Sequence, residues 1–183
     1  MRKRLFVGSF VQIPQEEVKK VRSTVENLKI EGKWVELHNL HFTYRFIGEV
    51  EEEKVPQIVQ MLRGRLKGVE SFPVKFTGLG TFTSNGLPRV LWIGVESQGV
   101  YTVKERVDQA LMPFGLPPER EFKPHVTLLR IKKLRRRGKL GELVMKMKNH
   151  VFLERTEVSV ALIESKLTPQ GPIYSVVEEF KLG

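Results

Sequence analysis

The chain contains the stretch His41-Phe-Thr-Tyr-Arg-Phe-Ile47 and repeats its pattern in His125-Val-Thr-Leu-Leu-Arg-Ile131. Each stretch opens with one of the four histidines of the chain and continues as an apolar run that is typical of a β-strand. Residues two apart on a strand share a face, so each histidine projects together with its threonine while Phe42 or Val126 points into the core. Two such strands, in comparable positions of the two halves, predict a duplicated lobe with a pseudo-twofold axis.

Outside these strands, apolar periodicity alternates between helix and strand patterns. Helices are predicted at 15–28, 54–66, 102–112 and 139–148, and strands at 3–10, 34–36, 40–47, 72–82, 89–95, 125–131, 151–165 and 174–182. Because the helices alternate with hairpins rather than with single strands, the pattern favours an antiparallel α+β fold over a doubly wound parallel sheet. No low-complexity linker divides the chain, so we expect residues 1–183 to form a single catalytic domain of two interlocked lobes, with one H-x-T strand in each.

The composition excludes several classes of site. The chain of 183 residues is 40% hydrophobic and 28% charged, as in an ordinary soluble globular protein. It has no cysteine, which excludes disulfides, thiolate nucleophiles, zinc ribbons and iron–sulfur clusters. No stretch approaches the roughly 20 apolar residues that span a bilayer. The apolar run at 5–11 predicts a first strand rather than a signal peptide, so we expect a cytoplasmic protein with no membrane partner.

The repeated histidine and threonine pair points to acid and base chemistry at phosphorus. Imidazole has a pKa of about 6.5, so one ring can be protonated and the other neutral near neutral pH, as in-line displacement requires. The threonine hydroxyls can hold the nonbridging oxygens, and the scheme needs no cofactor. Two alternatives are a metal site and a pair of buried structural histidines. The metal site is disfavoured because no Asp, Glu or Cys lies near the histidines at ligand spacing. The pair of buried structural histidines is disfavoured because both histidines begin the same H-x-T pattern within an apolar strand.

The positive charge is concentrated in one segment. The net charge is +10, and seven of the ten residues at 130–139 are Lys or Arg, with none acidic. This segment follows the second H-x-T strand directly, so it predicts a loop that attracts a phosphodiester chain and binds less tightly as salt rises. The alternative is a solvated loop with no ligand.

Several further stretches, in order along the chain, resemble a known family. They are Arg4-Leu-Phe-Val7, Asn39-Leu-His-Phe-Thr-Tyr-Arg-Phe-Ile-Gly48, Gly78-Leu-Gly-Thr-Phe82, Phe122-Lys-Pro-His-Val-Thr-Leu128 and Ser165-Lys-Leu-Thr-Pro-Gln-Gly-Pro-Ile-Tyr174. Together with both H-x-T motifs, they resemble the RNA 2',3'-cyclic phosphodiesterases, also called 2'-5' RNA ligases, of the two-histidine phosphoesterase superfamily. Tyr44 departs from the commonest pattern, which has an aliphatic residue there, and its side chain should point away from the cleft.

This resemblance implies a bilobal α+β fold in which two antiparallel sheets flank a central cleft, with helices on the outer faces. It implies metal-free hydrolysis of an RNA 2',3'-cyclic phosphate end to a 2'-phosphomonoester, with reversible 2'-5' joining of tRNA halves in some members. By analogy His41 is the proton donor to the departing 3' oxygen and His125 the base that activates water, although the sequence alone leaves that direction open. Thr43 and Thr127 would bind the phosphate. We expect a monomer whose partner is RNA with a cyclic phosphate end, tRNA fragments included.

Two arginines are further candidates, and their parity separates them. Arg45 shares parity with His41, so it is expected to reach the cleft unless it is a solvated strand-end residue. Arg130 has the opposite parity to His125 and reaches the phosphate only if the strand ends or bulges after Thr127.

The remaining candidates concern RNA contact. Tyr174 is expected to stack on a terminal base, whereas core packing is the better interpretation of Phe82. RNA contacts are also expected for the basic residues Lys132, Lys133, Arg135, Arg136 and Arg137. His38 and His150 have no partner motif and are expected to be structural or solvated.

Two other functions stay open from the sequence. The first is an RNA-binding or 2'-5' ligating factor with incidental hydrolysis, which would bind hydroxyl-ended and cyclic-ended RNA equally well. The second is a phosphodiesterase for a small cyclic nucleotide such as ADP-ribose cyclic phosphate, which would tolerate removal of the charges at 132–139.

Overall fold

The computed structural model describes residues 1–135 and 137–183, and within these ranges it contains nine strands and four helices. The strands are β1 (Arg2–Phe10), β2 (Glu31–Trp34), β3 (His41–Glu51), β4 (Phe72–Ser84), β5 (Leu87–Glu96), β6 (His125–Lys133), β7 (Val151–Glu157), β8 (Ser159–Thr168) and β9 (Gly171–Lys181). The helices are α1 (Gln15–Asn27), α2 (Val55–Leu66), α3 (Gly99–Leu111) and α4 (Arg137–Lys146). All four helices overlap the helices predicted from apolar periodicity.

The strands form two antiparallel sheets. The four-stranded sheet has the order β3-β1-β8-β9 and the five-stranded sheet the order β2-β6-β5-β4-β7. Every neighbouring pair within these sheets is antiparallel. Each sheet holds one H-x-T strand, β3 in the first and β6 in the second. The predicted antiparallel α+β fold with two related sheets is confirmed.

One predicted strand is wrong. The run at 151–165 was expected to be one long strand, but it is broken at Val158 into β7 and β8. Strand β7 pairs with β4, whereas β8 pairs with β1 and β9, so the chain passes here from one sheet to the other. Apolar residues at 151–153 and 160–163 continue strand patterns on the two sides of the break, with polar residues at 154–157 between them, and periodicity therefore does not show that the chain changes sheets.

A buried polar cluster stabilises this crossing between the sheets. Glu157, which is 2% exposed, accepts hydrogen bonds from the hydroxyls of Ser9 and Tyr44 and from the Arg155 guanidinium. Arg155 also donates to the carbonyl of Phe10 at 2.8 Å. A buried carboxylate needs such donors, because burial without them is costly. The Tyr44 side chain thus points away from the histidine face, as expected.

The helices pack against both sheets: α2 and α3 contact β9 and β3 of the four-stranded sheet, and α4 contacts β4 of the five-stranded sheet. The main core draws apolar side chains from both sheets and from all four helices, including Phe42 and Val126 of the H-x-T strands. A separate small cluster of Phe6, Ala161 and Ile163 lies on the other face of the four-stranded sheet. Helix α3 contacts β3 and β4, and so packs against both sheets. None of the helices in the described part of the chain combines the length and the hydrophobicity that a membrane span requires.

Candidate active site

The two H-x-T strands lie against each other where the sheets meet. Strands β3 and β6 are in contact, although they belong to different sheets. Phe42 and Val126 are fully buried. The alternate side chains are partly exposed on the other face, namely His41, Thr43, His125 and Thr127. The expectation that each histidine shares a face with its threonine, away from the core, is confirmed.

Both histidines are oriented by the same local hydrogen bond. Nδ1 of His41 lies 2.7 Å from the carbonyl oxygen of Asn39, and Nδ1 of His125 lies 2.7 Å from that of Lys123. A carbonyl can only accept, so we assign the Nδ1 proton as the donor in each ring. Nε2 is then the free nitrogen, able to accept a proton when the ring is neutral and to donate one when it is charged. The strand geometry therefore presents two equivalent acid or base groups.

A β-bulge after each motif decides which arginine joins the histidines. The pairing register shifts at Tyr44 in β3 and at Leu128 in β6, so side-chain parity changes there in both strands. Arg130 consequently lies exposed on the face of His125 and Thr127. This placement agrees with the expectation that Arg130 reaches this face only if the strand ends or bulges after Thr127.

Arg45 is displaced by the same kind of bulge, and the expectation that it reaches the cleft is wrong. Its side chain is 7% exposed on the core side, with Nη1 donating to Asp108 at 3.1 Å. Lys104 of α3 also pairs with Asp108 at 3.1 Å and with Glu119. Arg45 thus completes a buried ion cluster between β3 and α3.

Burial and neighbouring cations favour the neutral form of both histidines. Burial lowers the pKa of His41 and of His125, and the hydrogen bond from Nδ1 to its carbonyl opposes that shift in each case. The charge of Arg130 lowers the pKa of both rings further. The charge of His125 also lowers the pKa of His41, and the charge of Lys123 also lowers the pKa of His125. The two imidazoles therefore share one electrostatic environment, in which a bound anion would favour protonation.

Aromatic side chains surround each imidazole. The rings of Phe6 and Tyr174 lie 5.1 and 5.0 Å from His41 between centroids, and that of Phe10 at 6.3 Å. Tyr174 thus lies beside the histidine, where the expected stacking on a terminal base would require it, and it is half-buried. Such rings reduce the access of water to one side of the imidazole.

The second imidazole has a corresponding pair of rings. Phe82 lies edge-on to His125 at 4.7 Å, and Trp92 lies at 6.0 Å. Phe82 is only partly buried and belongs to the site rather than to the core, contrary to our expectation.

The sequence reasoning did not identify Phe6, Phe10 and Trp92 as residues beside the histidines. Two glycines, Gly8 and Gly80, could have indicated the positions of Phe6 and Trp92. A Cβ at Gly8 would come within 3.2 Å of the Phe6 ring, and one at Gly80 would collide with Trp92. Each glycine lets an aromatic ring lie along the sheet toward a histidine.

The basic segment is described in part. Lys132, Lys133 and Arg135 are exposed beyond the second motif. Arg136 and the side chain of Arg137 lie outside the described residues. Whether this segment contacts RNA stays a prediction.

The contacts of the two remaining histidines are with residues outside the two motifs, in agreement with their expected structural or solvated roles. His38 is exposed, with Nδ1 3.5 Å from Glu36. His150 contacts Glu17 of α1 through Nε2 at 2.7 Å. Within residues 1–135 and 137–183, no cluster of three or more His, Cys, Asp or Glu side chains is placed to hold a metal ion.

Comparison with known proteins agrees with this duplicated arrangement. The model of the family described as LigT like Phosphoesterase matches the chain twice, over residues 11–92 and 93–174, and each match contains one H-x-T strand. The RNA 2',3'-cyclic phosphodiesterase of Aquifex aeolicus is 40% identical, with 98% of this chain and 97% of that protein covered. The protein of the same name from Methanothermobacter thermautotrophicus is 36% identical, with 92% of each chain covered.

The same relationship holds in three dimensions. A crystal structure of a Thermus thermophilus protein superposes with a TM-score of 0.78 at 30% identity, over 98% of this chain and 97% of the other. Sequence, duplication and fold lead to one conclusion: the chain belongs to the LigT-like phosphoesterases.

Proposed function

We propose that this enzyme hydrolyses RNA 2',3'-cyclic phosphate ends to 2'-phosphomonoesters by metal-independent acid and base catalysis. The observation that carries the proposal is the pair of equally oriented imidazoles, each with a free Nε2 and a neighbouring threonine hydroxyl. The names of the relatives, RNA 2',3'-cyclic phosphodiesterases that cover nearly the whole chain, support the substrate class.

The reaction is an in-line displacement at phosphorus. Neutral His125 accepts a proton from water through Nε2 as the water oxygen bonds to phosphorus, and the bond from phosphorus to O3' breaks. Protonated His41 donates its Nε2 proton to the departing O3', which becomes a hydroxyl. The phosphate stays on O2'. The net change is addition of one water, and the two histidines exchange protonation states before the next cycle.

The assignment of His125 as the base rests on its charged neighbours. Two permanent cations, Arg130 and Lys123, lower the pKa of His125 and favour its neutral form. His41 has only one permanent cation among the groups that lower its pKa, together with the titrating His125. Once the anionic phosphate is bound, we expect His41, which has fewer permanent cations near it, to hold the proton, because the charge of the phosphate offsets the burial that lowers the pKa of His41.

The phosphate oxygens are held by three groups. We propose that Thr43 and Thr127 donate hydroxyl protons to the nonbridging oxygens from opposite lobes. Arg130, on the same face as His125, neutralises charge that builds up in the transition state. Each lobe contributes one histidine and one threonine, so we propose that residues 1–183 act as a single catalytic unit.

The rest of the RNA is proposed to lie along the basic surface. Lys132, Lys133 and Arg135 extend from the end of β6, where a phosphodiester chain that leaves the site would meet them. Tyr174 is proposed to contact the terminal nucleoside beside His41. Joining of RNA ends through a 2'-5' linkage is the same displacement with a 5'-hydroxyl in place of water. O5' bonds to phosphorus as the bond from phosphorus to O3' breaks, the phosphate stays on O2', and the same groups move the protons.

The test is an assay in EDTA with an oligonucleotide that ends in a 2',3'-cyclic phosphate. Wild type should release only the 2'-phosphomonoester, and both His41→Ala and His125→Ala should lose activity while keeping the fold. In a substrate with sulfur in place of O3', the sulfur can leave without being protonated, because a thiol is far more acidic than an alcohol. It should restore much of the lost rate to His41→Ala and little to His125→Ala. Rescue of the other variant would reverse the assignment, and full activity of either alanine variant would refute the mechanism.

A further inference from the structure

Lys33 is an exposed cation in the short strand β2, which lies beside the second H-x-T strand in the five-stranded sheet. It is paired across the two strands with Arg130 of β6. The next residue, Trp34, packs against the main core, and the Arg22 guanidinium of α1 lies 5.4 Å from its ring centroid. Because successive side chains of a strand point to opposite faces, Lys33 projects on the face that carries Arg130 and His125.

Lys33 and Arg130 form a pair of like charges. Side chains directly opposite each other on neighbouring strands have Cβ atoms about 4.5–5.5 Å apart, and like charges in this arrangement destabilise the sheet. Among the ion pairs of the described residues, none includes Lys33 or Arg130. The acidic residue of β2, Glu31, lies opposite Lys133 instead. A bound anion would offset the repulsion between the two cations, so the pair indicates an anionic ligand.

The hairpin of β8 and β9 holds the ammonium group of Lys33 at the edge of the site. Nζ of Lys33 donates to the carbonyl oxygen of Gln170 at 3.1 Å. Gly171, with a φ of +125°, leaves room for the ammonium group, since a Cβ there would lie 3.3 Å from Nζ. Further along the same hairpin, the Tyr174 ring lies 5.0 Å from that of His41 between centroids. One hairpin thus contacts both Lys33 in the five-stranded sheet and His41 in the four-stranded sheet.

Lys33 lies farther from the two imidazoles than Arg130 does. The charge of Arg130 lowers the pKa of His41 and of His125 and opposes the rise in the pKa of Tyr174. Lys33 is not among the charges that act on these three groups, and the effect of a charge weakens with distance and exposure. Arg130 is therefore the cation that faces an anion between the histidines, and Lys33 faces the next anionic group of the same ligand.

We propose that Lys33 binds the phosphodiester that joins the terminal nucleotide to the rest of an RNA chain. This inference rests on the proposed function and adds a second phosphate site to it. An ammonium group has three N–H donors, and the Gln170 carbonyl occupies one, which leaves two for the phosphodiester oxygens. The cyclic phosphate faces Arg130, and the phosphodiester on its 5' side lies against Lys33. The enzyme thereby favours an RNA end over a free mononucleoside cyclic phosphate.

The test compares three substrates: adenosine 2',3'-cyclic phosphate, the dinucleotide ApA that ends in the same cyclic phosphate, and this dinucleotide with a methylphosphonate linkage. The methylphosphonate has nearly the shape of the phosphodiester but carries no charge. Lys33→Gln should lower kcat/KM for the phosphodiester-linked dinucleotide by roughly 3- to 10-fold, mainly through KM, between the effect of an exposed ion pair and that of a charge-assisted hydrogen bond. It should leave kcat/KM for the other two substrates within about twofold of wild type.

Two further variants separate the charge of Lys33 from its contact with the hairpin. Lys33→Arg keeps the positive charge and should retain most of the preference for the phosphodiester-linked dinucleotide. Lys20→Gln is the matched control, because it removes one exposed positive charge from α1, the helix that contacts the other face of β2. It should change kcat/KM for none of the three substrates. If Lys33 only held the hairpin, Lys33→Gln would lower kcat/KM for all three substrates alike, and this result would overturn the proposal.

Binding of the two reaction products, followed by calorimetry, separates this inference from the proposed function. ApA with a 2'-phosphate end should bind wild type more tightly than adenosine 2'-monophosphate does, and Lys33→Gln should remove most of this difference. The same binding result in a protein that hydrolyses none of the substrates would refute the hydrolytic function and support the phosphodiester site. Hydrolysis of the phosphodiester-linked dinucleotide with equal kcat/KM by wild type and Lys33→Gln would overturn the phosphodiester site and support the hydrolytic function.

Discussion

Replacing Arg45 with methionine should destabilise the fold and leave catalysis intact. The Arg45 side chain is 7% exposed, and its guanidinium donates to Asp108 at 3.1 Å and lies 3.8 Å from Glu119. Methionine fills the volume of the stem but removes a buried hydrogen bond between charged groups, which is worth about 1.5–3 kcal/mol. Asp108 stays paired with Lys104 at 3.1 Å. The loss should therefore be about 2 kcal/mol.

Replacing Asp108 should lower the stability of the fold more than replacing Arg45 does. Asp108→Asn removes the carboxylate that separates Arg45 from Lys104, whose side chains are 7% and 6% exposed. The two cations would keep only Glu119, which is 42% exposed. Breaking a buried pair in this way typically costs about 3–5 kcal/mol because an uncompensated charge stays buried.

Urea unfolding followed by circular dichroism measures both variants. With a slope of about 2 kcal/mol per molar urea, Arg45→Met should lower the midpoint by about 1 M. Its kcat/KM on a cyclic-phosphate oligonucleotide should stay within about twofold of wild type at a temperature where the variant is folded. Unchanged stability together with weaker, more salt-sensitive RNA binding would show that Arg45 reaches the substrate, and would refute the buried placement. A smaller loss for Asp108→Asn than for Arg45→Met would contradict the charge argument.

Three other predictions follow from the site and the buried cluster. Burial lowers the pKa of both His41 and His125, and the proposed mechanism needs one ring charged and one neutral, so the kcat/KM profile should peak below pH 6.5 and fall as pH rises further. A maximum near pH 8 would contradict the proposed mechanism. Gly80→Ala should push the Trp92 ring away from its imidazole, lowering activity and costing about 1–3 kcal/mol of stability in a melting experiment. Gly64→Ala, with open space in a helix, is its control and should stabilise by about 0.5–1 kcal/mol. Tyr44→Phe removes a hydroxyl that donates to buried Glu157 at 3.0 Å. It should lower the free energy of unfolding in urea by about 1–2 kcal/mol, and an unchanged free energy would show that this hydrogen bond does not stabilise the fold.

Much of the fold could be predicted because local patterns decide local structure. Apolar residues at helical spacing located all four helices, and the strands predicted at 72–82 and 89–95 correspond to β4 and β5. These two strands form a hairpin whose turn contains Asn85 and Gly86, both with positive φ. The change of sheet at Val158 could not be predicted, because the residues on both sides of it have patterns typical of strands. Which sheet a strand joins depends on pairing with distant segments rather than on its own residues.

The sequence by itself determined which groups form the candidate site. Spacing on a strand places His41 with Thr43 and His125 with Thr127 on one face, and zero cysteine leaves imidazole and hydroxyl as the candidate groups. Only the tertiary structure decided what surrounds them. One extra residue in each strand reverses the parity of the residues that directly follow the motif, which buries Arg45 and exposes Phe46 and Arg130 on the face of the histidines. A bulge depends on how a strand fits its neighbour, and the strand's own alternation does not show it.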